Sequence, residues 1–133
     1  MINSILNFFK GHKEVNWSQE EREACLKLLI LIMFCDGKIS EEESQQIRDN
    51  INSFDWRGVH HEDYFVNNII TRVRDLNNDK DKEYFIRECT SVLEDEEIKS
   101  EIVKLCSELV KSDGEKHEDE IKLVTLIQKE MTL

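Results

Sequence analysis

The sequence contains no proline, and glycine occurs only at positions 11, 37, 58 and 114. With so few backbone punctuators, a flexible linker or a low-complexity segment is excluded. No cysteine lies in a C-x-x-C spacing: Cys25, Cys35, Cys89 and Cys106 stand apart, each inside an apolar helical pattern. A thiolate zinc site needs closely paired cysteines, so these read as reduced core residues of a cytoplasmic protein. The longest wholly apolar run, Leu28 to Cys35, is eight residues, against the roughly 18 that a membrane span requires. Basic residues are scarce as well. Eighteen Lys and Arg face 29 Asp and Glu, for a formal charge of −11, and such a field repels nucleic acid and anionic lipid surfaces while favouring cations and basic proteins.

What remains is a chain of 133 residues, 39% hydrophobic, enough to close one core without disulfide or metal support. The expectation is a single domain over residues 1–133, with an amino-terminal helix and connection at 1–17 and a core bundle from 18 onward. The opening apolar residues Ile2, Ile5, Leu6, Phe8 and Phe9 are followed by Lys10 and Lys13. They have neither a basic leading region nor a small-residue cleavage site, and so short an amphipathic stretch is expected to pack on the domain rather than dock peripherally on a membrane.

Ser18 followed by Glu21 forms a capping box that opens a helix to about Cys35, and Ser40 with Glu43 repeats the device before a stripe at Ile47, Ile51 and Phe54, ending near Ser53. Phe65, Ile69, Val73 and Leu76 predict a third amphipathic helix beginning near Glu62. Tyr84 or Phe85 with Cys89, Val92 and Leu93 predicts a fourth, after a polar connection from Asn77 to Asp81. Ile98, Ile102, Leu105, Cys106 and Leu109 mark a fifth, and Ile121, Val124, Ile127 and Met131 the last. No segment alternates with a period of two, so the class is all-α, without a sheet.

Two turns repeat. Asp36, Gly37 and Glu43 match Asp113, Gly114 and Glu120 at a constant offset of 77 (113 minus 36), and Leu28, Ile32, Met33 and Ile47 fall on Leu105, Leu109, Val110 and Val124. The chain therefore reads as two pseudo-repeated helix-turn-helix units. Asp, then Gly, then an acid seven residues after the Asp is the second half of a calcium loop. The first half is missing, because Ile32 and Phe34 in one unit, and Leu109 and Lys111 in the other, stand where oxygen ligands belong. Neither turn is an EF-hand. Packed side by side, Asp36, Glu43, Asp113 and Glu120 would pool four carboxylates, a donor set suited to Ca²⁺, Mg²⁺ or Mn²⁺. Like charges 4 to 5 Å apart cost roughly 3 to 4 kcal/mol per pair at an effective dielectric of about 20, so convergence requires a cation or protons. The competing reading makes Gly37 and Gly114 helix-ending residues and the acids partners of the next helix dipole. Glu43 already caps with Ser40, whereas His117 is a poor cap beside Glu120.

The second turn, Val110, Lys111, Ser112, Asp113, Gly114, then Glu118, Asp119 and Glu120, and the first, Asp36, Gly37, Ser40, Glu42 and Glu43, resemble the motifs of the tellurite-resistance TerB-like family. The resemblance covers residues 18–133, and between about 55 and 95 it follows helix order more than identities. It implies a compact bundle of six to seven helices and an acidic surface that binds divalent metal in tellurite and other stress responses. The ligands it implies are Asp36, Glu43, Asp113 and Glu120, with Glu42 and Asp119 as secondary choices; Cys35, Lys116 and His117 depart from the family pattern.

Adjacent His60 and His61 point about 100° apart on a helix and do not share a metal; His117 and His12 read as solvated. No nucleophile, histidine and acid order, phosphate-cradling glycine loop or arginine cluster is present, so no enzyme activity and no organic cofactor are expected. Two functions remain: a divalent-cation-binding stress protein, and an interaction module whose acidic face docks a basic partner protein.

Overall fold

The computed structural model describes residues 18–34, 62–112 and 118–131. Within them lie five helices: α1 (Gln19–Met33), α2 (Glu62–Arg74), α3 (Asp79–Thr90), α4 (Glu96–Ser112) and α5 (Glu118–Met131). No strand occurs among the described residues. The expected amino-terminal helix at 1–17 and the helix from Ser40 to about Ser53, with its capping box and its Ile47, Ile51 and Phe54 stripe, lie outside the described residues.

The fold is organised around α1. Its start is fixed by the reciprocal cap anticipated from sequence: the Ser18 amide donates to Glu21 Oε1 at 2.8 Å, and the Glu21 amide donates to Ser18 Oγ at 3.2 Å. From Leu28 to Phe34 every side chain is buried, and α2, α3, α4 and α5 all pack against this one helix. From Leu28 onward the helix is apolar all round and has no solvent face to offer, so this half becomes the axis of the bundle. At its end the Phe34 amide still reaches Ile30 O at 3.0 Å, and the helix stops two residues before the expected Cys35. The buried residues of all five helices form one hydrophobic cluster.

Two of the outer helices, α3 and α4, start on side-chain caps. Asn78 accepts from the Asp81 amide at 2.8 Å, and Asp95 Oδ1 accepts from Glu97 at 2.8 Å and Ile98 at 3.3 Å. The polar connection expected over Asn77 to Asp81 is therefore shorter than its composition suggests, because Asp79 to Asp81 already form the first turn of α3. Polar contacts tie the outer layer together. Arg72 of α2 meets Glu88 of α3 at 2.6 Å while its guanidinium lies 5.0 Å from the Phe85 ring centre. Arg87 of α3 reaches Glu130 of α5 at 3.2 Å, and Lys122 of α5 reaches Asp79 at 3.0 Å. Apart from the half-buried Glu130, the partners are exposed, and such pairs set register more than stability.

Three apolar stripes differ in detail from expectation. In α2 the buried residues are Val66, Ile69, Ile70 and Val73, with Phe65 and Leu76 only partly covered. In α3 the alternative between Tyr84 and Phe85 resolves to Phe85, and Tyr84 is exposed. Val92 is turned outward because α3 ends at Thr90: the Leu93 amide donates to Thr90 O at 3.0 Å, and this turn carries Leu93 instead of Val92 into the core. In α4, Ile102 and Cys106 are buried as expected, Ile98 and Leu105 are half-buried, and Val110 and Lys99 join them on the inner side; the Leu109 side chain lies outside the described set.

Candidate functional site

The second acidic turn joins α4, which runs to Ser112, to α5, which begins at Glu118. Glu118, Asp119 and Glu120 fill the first turn of α5, where negative charge meets the positive end of the helix dipole. The three acids have different environments. Glu118 and Asp119 are exposed, whereas Glu120 is buried, with 4% of its surface accessible. It stands at the head of the inner stripe Glu120, Leu123, Ile127 and Met131, all buried, with the three- and four-residue spacing of one helix face.

That placement corrects the stripe expected from sequence. Helical spacing of the apolar residues alone puts Ile121 inward with Val124, Ile127 and Met131. With Glu120 turned in, its neighbour is rotated about 100° away; Ile121 is exposed and Val124 half-buried. Ile127 and Met131 keep their expected burial. A carboxylate taken out of water must be compensated by fixed donors, a cation or a proton, at a cost of several kcal/mol otherwise.

Of the other residues nominated as ligands, Asp36, Glu43 and Asp113 lie outside the described residues, as does the secondary candidate Glu42; Asp119 is described and exposed. His12, His60, His61 and His117 also lie outside. Among the described residues alone, no group of three or more His, Cys, Asp or Glu side chains is placed to hold a metal ion.

Cys25, Cys89 and Cys106 are free and buried. Burial pushes the Cys89 and Cys106 thiols up to about 12. It also drives Cys25 well above its ordinary value, with the neighbouring Cys106 and Glu101 adding to the rise. Thiolate is the reactive form. At pH 8 a thiol with a pKa of 12 is ionised to only about one part in 10⁴. Alkylation of the native protein at pH 8, mapped by peptide mass spectrometry, is therefore expected to spare Cys25, Cys89 and Cys106, and to modify them once urea unfolds the chain. Because the folded state retains these protons to higher pH than the unfolded state, the thiols' contribution to stability is present below about pH 9 and is lost as pH rises toward 12. Rapid native labelling at these three positions would contradict their placement.

Two surface grooves flank α5, and neither was anticipated from sequence. One, of about 430 Å³, runs between α3 and α5 beneath the Lys122–Asp79 pair. The other, of about 820 Å³, runs between α4 and α5 and includes Lys99 in its wall. Lys99 is buried, with 7% of its surface accessible. The signal that could have marked it is its spacing: Lys99, Ile102, Cys106 and Val110 fall on the same inward face of α4.

No helix among the described residues is long and apolar enough to cross a membrane. Comparison with curated proteins and with solved structures yields no match. The sequence profile of the family described as "Tellurite resistance protein TerB" matches residues 22–133. That span takes in four of the five helices entirely, most of α1, and both acidic turns. The chain belongs to the TerB family of tellurite resistance proteins.

Proposed function

We propose that this protein is a non-enzymatic, cytoplasmic TerB-family protein that binds one divalent cation between its two acidic turns, in the service of tellurite or related stress resistance. The ligands in this reading are Asp36, Glu43, Asp113 and Glu120, with Glu42 and Asp119 in reserve. The observation that carries it is the burial of Glu120 at 4% exposure. A solvated capping acid belongs with exposed Glu118 and Asp119; a carboxylate led into the protein at the amino-terminal end of α5 is placed as a ligand would be. The donor set fits the group, since four carboxylates provide the hard oxygen ligation that Ca²⁺, Mg²⁺ and Mn²⁺ prefer. Bound there, the cation would supply charge neutralisation and a cross-link between the two turns.

The pseudo-repeat underlies this convergence and has further support. The first helical residues, Gln19 of α1 and Glu96 of α4, are separated by the same 77 positions (96 minus 19) as the turns, and the two helices pack together. In this reading the chain is one domain of six to seven helices, in which each helix-turn-helix unit gives half a site. Buried, free cysteines suit a reducing compartment.

A second reading is favoured by a different feature. Glu94, Asp95, Glu96 and Glu97 form an uninterrupted exposed acidic run that leads into the first turn of α4, suited to docking a basic protein through charge complementarity. Calorimetric titration of chelator-stripped protein with Ca²⁺, Mg²⁺ and Mn²⁺ separates the two. The cation reading expects saturable binding near one equivalent that is lost in Asp36→Ala and in Asp113→Ala. Absence of saturable binding, or binding indifferent to both substitutions, overturns it; a basic partner captured equally with and without chelator, and lost when the acids at 94–97 are neutralised, supports the docking reading.

A further inference from the structure

The groove between α4 and α5 is lined by a buried lysine, together with Glu96 and Lys129, in a protein whose net charge is −11. Lys99 forms part of its wall, and the side chain is more than nine-tenths buried. Among the described residues its ion pair is with Glu96, one turn back on α4, at 3.9 Å, and Glu96 is itself 86% exposed. A charge-assisted N–H···O bond closes to about 2.7–2.9 Å, so Glu96 neutralises Lys99 from a distance and leaves donor capacity on the ammonium. Burying a lysine against so loose a partner is costly. A carboxylate entering the groove would offset that cost directly.

The surroundings narrow the ligand. Ser100 and Gln128 bring a hydroxyl and an amide to the same walls, and Val103 and Met131 bring apolar surface. Two of the amino-terminal amides of α4, those of Glu97 and Ile98, already donate to Asp95 Oδ1 and are not available for a phosphate. Phosphate sites draw on such amides or on several cations. Two lysines line the groove, Lys99 buried and Lys129 exposed; one buried ammonium next to apolar wall matches a singly charged group on an apolar body, and a groove of about 820 Å³ admits one.

We propose that the α4–α5 groove binds a small organic carboxylate, its carboxylate pairing with Lys99 and its apolar body lying against Val103 and Met131. The site is separate from the acidic turns and does not depend on the cation reading.

The test is an NMR titration of the full chain with hexanoate, with hexanol and inorganic phosphate as comparison probes. Hexanoate is expected to give saturable shifts at the amides of Ser100, Val103 and Gln128, with hexanol and phosphate at least about tenfold weaker, the equivalent of one lost charge-assisted contact. Lys99→Met, which keeps the buried stem, is expected to abolish the response. Glu96→Gln, at an exposed position, is expected to tighten hexanoate several-fold by removing the competing carboxylate, and this variant carries the test even if Lys99→Met does not fold. No saturable response to hexanoate, equal binding of hexanol or phosphate, hexanoate binding unchanged in folded Lys99→Met, or Glu96→Gln without effect would each overturn the proposal.

Discussion

Replacing Leu28 by Ala is expected to lower the unfolding free energy by about 3 kcal/mol, within the roughly 2 to 5 kcal/mol found for leucine truncation in closed cores. Leu28 has no accessible surface and lies on α1, against which every other described helix packs. The cavity it leaves cannot collapse by moving one helix without disturbing its contacts with the rest. For a domain of this size the same change shifts the melting temperature by about 10 °C. Val92 is the matched control: it is as apolar, but 40% exposed in the turn after α3, so Val92→Ala is expected to cost no more than about 0.5 kcal/mol. Urea unfolding of the two variants checks both, and comparable losses at the two positions would contradict the placement of α1 as the axis.

The second large effect concerns the cation. If one ion is shared by two turns, deleting a ligand from either turn removes part of a single coordination shell, and the loss at each should be severe. Outer-shell partners of metal ligands are already worth about 10- to 100-fold in affinity, so Asp36→Ala and Asp113→Ala are each expected to weaken binding by about 100-fold or more. Combining them should add little, because a site already lost cannot be lost again. Two independent half-sites give a different pattern: each substitution removes one class of binding and spares the other. Calorimetry on the two single variants and the double variant distinguishes these outcomes.

How far these properties could be read from the sequence depended on which rule governed each residue. The start of α1 was legible because Ser18 and Glu21 satisfy one another's backbone groups locally, and local chemistry needs no knowledge of neighbours. The burial of α1 was legible because an unbroken apolar run leaves no choice of face. Amphipathic helices do leave a choice. Tyr84 and Phe85 both satisfied the pattern, and only the packed bundle, with Arg72 over the Phe85 ring, decides between them. Ile121 differs from expectation because an apolar stripe counts only apolar residues. Burying Glu120 costs energy that no window of apolar residues records, and rotating that one residue inward turns Ile121 out. Lys99 escaped notice for the same reason: it is no apolar residue, yet a long aliphatic stem can lie along an inner face, and the groove it lines exists only once α4 and α5 are packed. Within the candidate site, the sequence supplied the paired spacing of the acids, while the inward turn of Glu120 came from tertiary packing.

Paramagnetic relaxation caused by substoichiometric Mn²⁺ tests the convergence of the two turns most directly, since it reports which backbone amides surround the bound ion whatever the affinity. One shared ion predicts that the amides flanking Asp36 and Glu43 and those flanking Asp113 and Glu120 broaden together, at the same metal fraction, while the exposed acids at 94–97 do not. Broadening confined to one turn, or concentrated on the acidic run at the start of α4, would contradict it.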